Sequence, residues 1–396
     1  MDAPANNKDA ASETKAITSS HIVTAESVQA EEVPTIPLDS LQTVSELQPE
    51  ISVHPVASTR SVTQPVPLVM PASEHERSLA EWLAVWWDGI RPGYLPLSLL
   101  PVVLGSIVAW TQSISVKTPR GDFHPIRFIL TLAAVLLLQI GAHLVNDYYD
   151  YLRGIDTSNS LGPGGLIQVG LIKPVRVLYA GVAALGLGAL LGIFVALSGG
   201  WLLFVFGLLG LLAAYFYSGS SRGLSLLILG ELVSFCIFGP MLTLGAYMVQ
   251  TGHLDRIAFV CGISLGLFAA AFIHLNNMRD VESDAQAGKH TLASSLDLRI
   301  NRALYVILVL GAYAPIIALG LPRHAPHLVL LVLWTLPVLV VAVTTVLRTA
   351  NPASLHLAMY QTLKIEIFFT LLLIVAFVVM AIIPLLPPLP LVTLPF

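Results

Sequence analysis

The sequence predicts an all-α integral membrane protein with about nine transmembrane helices, arranged as two four-helix halves plus one helix, behind a disordered N-terminal tail. Of the 396 residues, 55% are hydrophobic and only 11% are charged, whereas a soluble domain carries about 25% charged residues. The apolar residues form long runs, and roughly 20 apolar residues cross a bilayer as a helix. The polar residues concentrate ahead of these runs.

Residues 1–78 form the predicted tail, which is rich in Ser, Thr, Glu, Gln and Pro. Its few large apolar residues are scattered, so it cannot bury enough surface to offset the entropy of ordering. Carboxylates such as Glu26, Glu31 and Glu32 make it acidic. A transit peptide is rich in Arg and poor in acids, and a signal peptide needs an early apolar region. Neither description fits this tail.

The predicted transmembrane domain covers residues 79–396. It opens with a short amphipathic helix over residues 79–88, whose Trp82, Trp86 and Trp87 suit the membrane interface. The nine apolar runs that follow cover residues 95–113, 128–145, 177–197, 201–217, 224–249, 257–275, 304–320, 328–346 and 365–385. The net charge of −4 comes from the tail and indicates no nucleic-acid partner.

Orientation follows from the Lys and Arg residues in the loops, which favour the cytoplasmic side. The loops after runs two, four, six and eight carry Arg153, Lys173, Arg176, Arg222, Arg279, Lys289, Arg299, Arg302, Arg348 and Lys364. The opposite loops carry Lys117, Arg120, Arg127, Arg256 and Arg323. We therefore predict a multi-pass protein of the cell membrane with its N-terminus in the cytoplasm.

Two carboxylate clusters end apolar runs on this predicted cytoplasmic side. Asp147 and Asp150 are three residues apart, and Asp280 and Asp284 are four apart, so each pair shares a helix face. Acids beside a hydrocarbon core are costly and usually functional. The alternative is that these acids are solvated loop residues that pair with nearby Arg and Lys side chains. That alternative would be preferred for a single cluster, but two clusters on the same side favour a functional site.

Asn146 stands beside the first pair and Asn277 one turn before the second. Asn and Asp oxygens suit Mg²⁺, which binds a few carboxylates together with substrate phosphates. We predict Mg²⁺ as the cofactor, and the predicted ligands are Asn146, Asp147, Asp150, Asn277, Asp280 and Asp284. The cations predicted to contact the phosphates are Arg153, Lys173, Arg279 and Lys289.

Two further residues are candidates for binding a second substrate. Glu231 lies inside the fifth apolar run, where a carboxylate needs a partner; it either binds a polar substrate or pairs with Arg222. Tyr149 and its neighbour Tyr148 offer aromatic faces to a carbocation, although interfacial tyrosines are also ordinary.

With these residues in view, the chain resembles the UbiA superfamily of intramembrane aromatic prenyltransferases from about Trp82 to its carboxyl end. Asn146-Asp147-x-x-Asp150 and Asp280-x-x-x-Asp284 are similar to the paired aspartate-rich motifs of that family. Residues 148–156, Arg91-Pro92, residues 230–232 and residues 276–292 resemble the branch that acts on 1,4-dihydroxy-2-naphthoate. The sequence departs from that branch at His290, where Arg is frequent, and at Gly164-Gly165, where a basic residue is frequent.

The resemblance implies transfer of a polyprenyl group to that naphthoate in menaquinone biosynthesis. It implies that Mg²⁺ held by Asp147, Asp150, Asp280 and Asp284 binds the diphosphate of the donor. Loss of diphosphate then leaves an allylic cation, which the electron-rich ring attacks with loss of its carboxylate. We assign Tyr149 and Glu231 to acceptor binding. The resemblance also implies that the tail of the donor extends between helices into the lipid bilayer.

Three alternatives differ from this hypothesis in substrate or class. A related prenyltransferase would use 4-hydroxybenzoate or a chlorin, but the basic run that follows the first motif in the benzoate branch is absent. A CDP-alcohol phosphotransferase needs an Asp-Gly-x-x-Ala-Arg element, also absent. A membrane transporter would place its acids near the bilayer midplane in broken helices, whereas these acids lie at the ends of apolar runs.

Overall fold

Helices account for nearly all of the described chain, which comprises residues 78–114, 123–153, 166–167, 170–216, 229–286, 288, 290–322 and 326–385 of a computed structural model. These residues all belong to one compact unit, Gln64–Phe396. The predicted disorder of residues 1–77, the side chain of Arg153 and the predicted phosphate contact of Lys289 lie outside the described residues.

Twelve helices follow one another along the described residues. They are α1 (Leu79–Ile90), α2 (Pro96–Ser113), α3 (Pro125–Arg153), α4 (Pro174–Gly199), α5 (Trp201–Phe216), α6 (Gly230–Thr251), α7 (Arg256–Arg279), α8 (Val281–Gln286), α9 (Leu292–Ser295), α10 (Leu298–Gly320), α11 (His327–Arg348) and α12 (Pro352–Ile382). A short 3₁₀ turn, Pro92–Tyr94, joins α1 to α2.

Eight of the described helices are long and apolar enough to cross a membrane: α2, α3, α4, α6, α7, α10, α11 and α12. The fourth predicted run corresponds to α5, which is apolar but has only 16 residues. The all-α membrane fold class is therefore confirmed, and the predicted count of nine includes this shorter helix.

Two helices extend well beyond the runs that predicted them. The helix α3 continues past residue 145 to Arg153, so the first carboxylate motif is helical and lies in its last two turns. The helix α12 begins at Pro352, although residues 365–385 were predicted. Lys364, which we expected in a loop, lies within this helix, and Glu366 is fully buried there.

The helix α7 lies at the centre of the bundle. Of its 18-residue apolar segment, 67% is buried, which is the largest share among the eight spanning helices described. It packs against α6, α10 and α12. Glycines bring α6 very close to it: a Cβ added at Gly239 would lie 2.4 Å from the carbonyl oxygen of Gly262. A π-helical turn, Ile237–Met241, surrounds Pro240 at this contact, as expected where a proline removes a helical hydrogen bond.

Candidate active site

One cavity of about 360 Å³ is lined by residues of both carboxylate motifs. Its polar end is lined by Arg91, Asn146, Asp150, Asn276, Asn277, Arg279, Asp280, Ser283 and Asp284. These side chains come from the end of α1, the end of α3 and the junction of α7 with α8. The cavity therefore places acids that are far apart in sequence around one space.

The two acids of the first motif point to different surroundings. Asn146 donates a hydrogen bond to Asp150 through its Nδ2, at 2.5 Å, and both side chains line the cavity. Asp147 is fully buried and accepts a hydrogen bond from the Arg91 guanidinium. Since Asp147 does not line the cavity, its role as a metal ligand stays a prediction, and the structure shows it as the partner of Arg91.

Arg91 reaches Asp147 from an unusual backbone conformation. Its φ of 56° places it in the left-handed region, and no other non-glycine residue in the described ranges has a positive φ. Such a conformation costs about 1–2 kcal/mol and persists where surrounding contacts hold it. The residue ends α1 and precedes Pro92, so the strained turn also sets the direction of the chain into α2.

The second motif is organised by Arg279 at the end of α7. Its Nε and Nη2 donate to the two carboxylate oxygens of Asp280, at 2.7 and 2.6 Å, the bidentate geometry that suits guanidinium and carboxylate. Nη2 also donates to Asn276 at 3.0 Å, and Nη1 donates to Nδ1 of His356 at 2.9 Å. Arg279 therefore links the motif to α12 through His356 and also contributes a positive charge.

Asp284 lies one helical turn beyond Asp280, where the chain passes from α7 into α8. The backbone amide of Asp284 donates to the carbonyl of Asp280 at 2.8 Å. Asp284 is only 1% exposed, yet it lines the cavity together with Ser283. The four-residue spacing thus brings both acids to the same polar end, as the shared helix face predicts.

Glu231 lies behind this polar end rather than in it. Its Oε1 accepts hydrogen bonds from Nδ1 of His274 and Nδ2 of Asn277, both at 3.1 Å. Asn277 lines the cavity, whereas Glu231 and His274 do not. The alternative partner, Arg222, lies outside the described residues, and the acceptor-binding role of Glu231 stays a prediction.

Two other predicted contacts lie away from the cavity. Lys173 is exposed at the N-cap of α4 and does not line the cavity. Tyr149 is half-buried and packs edge-on against Tyr148, with ring centroids 5.3 Å apart; it does not line the cavity either. Their predicted contacts with diphosphate and acceptor stay predictions.

Several lining residues were not among the predicted site residues. Tyr94 and Phe272 both line the cavity and meet edge-on at 5.3 Å. Burial raises the pKa of the Tyr94 hydroxyl, so this phenol stays protonated at neutral pH. Arg91 and Asn276 also belong to the polar end. The Arg-Pro pair ahead of the first apolar run could have identified Arg91 as a site residue. No motif in the sequence marks Tyr94 or Phe272 as site residues.

Beyond the polar end the cavity continues as an apolar arm. The arm is lined mainly by small and aliphatic residues of α3 to α6, among them Val135, Leu138, Gly192, Val195, Leu203, Phe206, Gly207, Met241 and Val249. A single cavity therefore joins a charged, oxygen-rich end to a hydrocarbon-like arm.

The oxygen donors of the polar end fit a divalent cation that also binds phosphate. Within the described ranges no three His, Cys, Asp or Glu side chains form a cluster that could hold a metal by themselves. Mg²⁺ does not need such a cage, because it is usually bound by one or two carboxylates plus substrate phosphates. Asp150, Asp280 and Asp284 supply carboxylates, and Asn146 and Asn277 supply amide oxygens.

This combination defines a class: an intramembrane protein whose cavity suits a lipid with an anionic head and an apolar tail. The UbiA prenyltransferase family model matches residues 98–369, which is more than half of the chain. The chain belongs to the UbiA prenyltransferase family, which confirms the resemblance seen in its motifs, and it is a membrane prenyltransferase.

Two relatives from bacteria carry the same name, 1,4-dihydroxy-2-naphthoate octaprenyltransferase. The protein from Bacillus subtilis is 30% identical over 289 residues, covering 73% of this chain and 90% of the relative. The protein from Mycobacterium tuberculosis is 34% identical over 243 residues, covering 60% and 80%. The Drosophila melanogaster UbiA prenyltransferase domain-containing protein 1 homolog is 33% identical over 305 residues, covering 72% and 77%.

Solved structures show the same fold. A UbiA homolog from Archaeoglobus fulgidus, bound to GPP and Mg²⁺, superposes with a TM-score of 0.52 at 16% identity, covering 74% of this chain and 99% of that one. A UbiA homolog from Aeropyrum pernix gives 0.52 at 15% identity, covering 72% and 97%.

Proposed function

We propose that the chain transfers a polyprenyl group from a prenyl diphosphate to 1,4-dihydroxy-2-naphthoate, a step of menaquinone biosynthesis. The observation that carries the proposal is the single cavity, which joins both carboxylate motifs to an apolar arm. A prenyl diphosphate has the matching shape, an anionic head on a hydrocarbon tail. The names of the bacterial relatives support this choice of acceptor.

In this proposal the diphosphate binds at the polar end with Mg²⁺. The acids there would repel an anionic head, and a divalent cation between them would offset that repulsion. Asp150, Asp280 and Asp284 would hold it with the amide oxygens of Asn146 and Asn277. When bound, Mg²⁺ supplies Lewis-acid stabilisation of the leaving diphosphate. The sequence also predicts phosphate contacts for Arg153, which ends α3, for Lys173 and for Lys289.

Departure of the diphosphate breaks the C1–O bond of the donor, and the oxygen keeps the electron pair. An allylic cation remains, which water would destroy. The apolar arm excludes water from this region, and the rings of Tyr94 and Phe272, which line the cavity, offer π-faces that stabilise a cation. These residues protect the cation until the acceptor ring attacks.

The acceptor enters at the polar end, where its carboxylate pairs with Arg91. The ring carbon that bears the carboxylate forms the new C–C bond to C1 of the prenyl group. Loss of CO₂ returns the bonding electrons to the ring and restores its aromaticity. The overall reaction thus yields prenylated naphthalenediol, CO₂ and diphosphate.

The test uses the purified full-length protein in lipid nanodiscs with Mg²⁺ and a prenyl diphosphate. We expect a prenylated product with 1,4-dihydroxy-2-naphthoate whose mass shows the loss of CO₂, and far less product with 4-hydroxybenzoate. The variant Asp284→Asn should give none. Prenylation of the benzoate but not the naphthoate would refute the acceptor assignment while leaving the prenyltransferase class unchanged.

A further inference from the structure

A buried chain of hydrogen bonds runs behind the polar end of the cavity. Glu231 of α6 is bonded to His274 and Asn277 of α7, both at 3.1 Å. The three residues are 7%, 0% and 5% exposed, respectively. Buried polar groups are usually hydrogen-bonded, and these contacts restrain the three side chains relative to one another.

The far end of the chain is fixed to the backbone. Nε2 of His274 bonds to the carbonyl of Asn301 at 3.1 Å. The Asn301 side chain in turn donates to the carbonyls of Ala293 and Leu296, at 2.8 and 3.1 Å. The His274 ring is therefore held from α9 and α10 on one side and by Glu231 on the other.

These contacts determine which way the Asn277 amide points. A carboxylate can only accept hydrogen bonds, so the NH₂ group of Asn277 must face Glu231. The carbonyl oxygen Oδ1 is then on the opposite side of the amide, and Asn277 is the member of the chain that lines the cavity. A rotation of the amide by half a turn would instead present N–H groups, which no cation can use as ligands.

We propose that Glu231 and His274 are positioning residues that hold Asn277 with its Oδ1 turned into the cavity, as an oxygen ligand for the cation–diphosphate unit. The inference rests on the proposed function, since it assumes that the polar end binds that unit. It gives Glu231 a role through Asn277 rather than through direct contact with the acceptor. Residues that orient metal ligands in this way typically contribute about 10- to 100-fold to metal affinity.

The experiment is a double-mutant cycle between positions 231 and 277. Glu231→Leu removes the acceptor atom at similar size, Asn277→Ala removes the ligand, and the double variant combines them. The probe is Mn²⁺ with inorganic diphosphate, and its binding to the purified full-length protein is followed by electron paramagnetic resonance. Thermal unfolding of each variant checks that the fold is retained.

We expect Glu231→Leu to weaken binding of Mn²⁺ and diphosphate by about 10- to 100-fold, and the double variant to bind no more weakly than Asn277→Ala alone. Glu231→Gln keeps an acceptor oxygen at the same place, so it should restore most of the affinity. Additive losses, or a loss in Glu231→Gln as large as in Glu231→Leu, would overturn the proposal.

The two proposals fail in different ways. If the acceptor were wrong, the wild-type protein would still bind Mn²⁺ with diphosphate, and the cycle would give the same coupling. If Glu231 instead contacted the acceptor, Glu231→Leu would raise the KM for the acceptor even in the Asn277→Ala background and leave Mn²⁺ binding unchanged.

Discussion

Two glycines in the wall of the apolar arm should set the length of prenyl donor that the enzyme accepts. Gly192 of α4 and Gly207 of α5 line the cavity, and a Cβ added at either position would meet no atom within 4 Å. A larger side chain at either position would meet no neighbouring atom at its Cβ, and we expect it to occupy part of the arm that these residues line. Gly192→Phe and Gly207→Phe therefore shorten the arm from the inside.

The expected loss in kcat/KM depends on the environment that the prenyl tail leaves when the donor binds. A prenyl tail leaves a bilayer that is as apolar as the arm, so burial itself adds little and exclusion is mainly steric. Overfilling an apolar space costs about 1–3 kcal/mol. At 1.4 kcal/mol per factor of ten, kcat/KM for a long donor should fall by about 5- to 150-fold. A donor too short to reach the new ring should react as before.

The assay compares kcat/KM for donors of two, four and eight isoprene units in nanodiscs. The matched control is Gly186→Phe, because Gly186 lies on the same helix as Gly192 and has no atom within 4 Å of an added Cβ, but does not line the cavity. We expect the control to resemble the wild type. An equal loss for all three donors, or the same loss in the control, would refute the assignment of this arm to the prenyl tail.

Other predictions address the ligands, the tail and the topology. Asp280→Asn and Asp284→Asn should each lower kcat by at least about 100-fold with little change in Tm, and near-normal turnover in both would contradict the shared cation site. Asp147→Asn should lower Tm instead, since breaking a buried ion pair costs about 3–5 kcal/mol; lost turnover at unchanged Tm would make Asp147 a ligand. Deletion of residues 1–70 should leave turnover in membranes unchanged, and a well-expressed but inactive truncation would show that the tail contributes. Reporter fusions at residue 1 and at Phe396 should report opposite sides of the membrane, with residue 1 cytoplasmic.

The spanning helices were predictable because hydropathy is a local property. The ends of these helices were harder to predict, because a helix can continue after its apolar run stops. The helix α3 carries the first motif beyond the run. In α12 the polar residues Thr362, Lys364 and Glu366 interrupt the apolar pattern, so hydropathy alone did not predict the start of this helix at Pro352. Thr362 and Glu366 are nevertheless fully buried. Whether such a residue faces lipid, protein or water depends on neighbours that a single segment does not contain.

The contacts of the site residues were also difficult to predict, because they too depend on neighbours that are distant in the sequence. The three-residue spacing of Asp147 and Asp150 indicates a common face, but at 3.6 residues per turn the two side chains still differ by about 60° in direction. That difference turns Asp150 to the cavity and Asp147 to Arg91. The partner of Asp147 comes from the turn after α1, and only the folded chain brings it there.

The charges at the polar end explain why both motifs need arginines as well as acids. Four carboxylates near a hydrocarbon core repel one another and favour their neutral forms. Arg91 pairs with Asp147, and Arg279 pairs with Asp280, so each motif has one compensated acid inside the protein. Asp150 and Asp284 also line the cavity, where a divalent cation would add positive charge. The arginines thus offset part of the negative charge of both motifs, and a divalent cation that accompanies the diphosphate would bind among the acids that line the cavity.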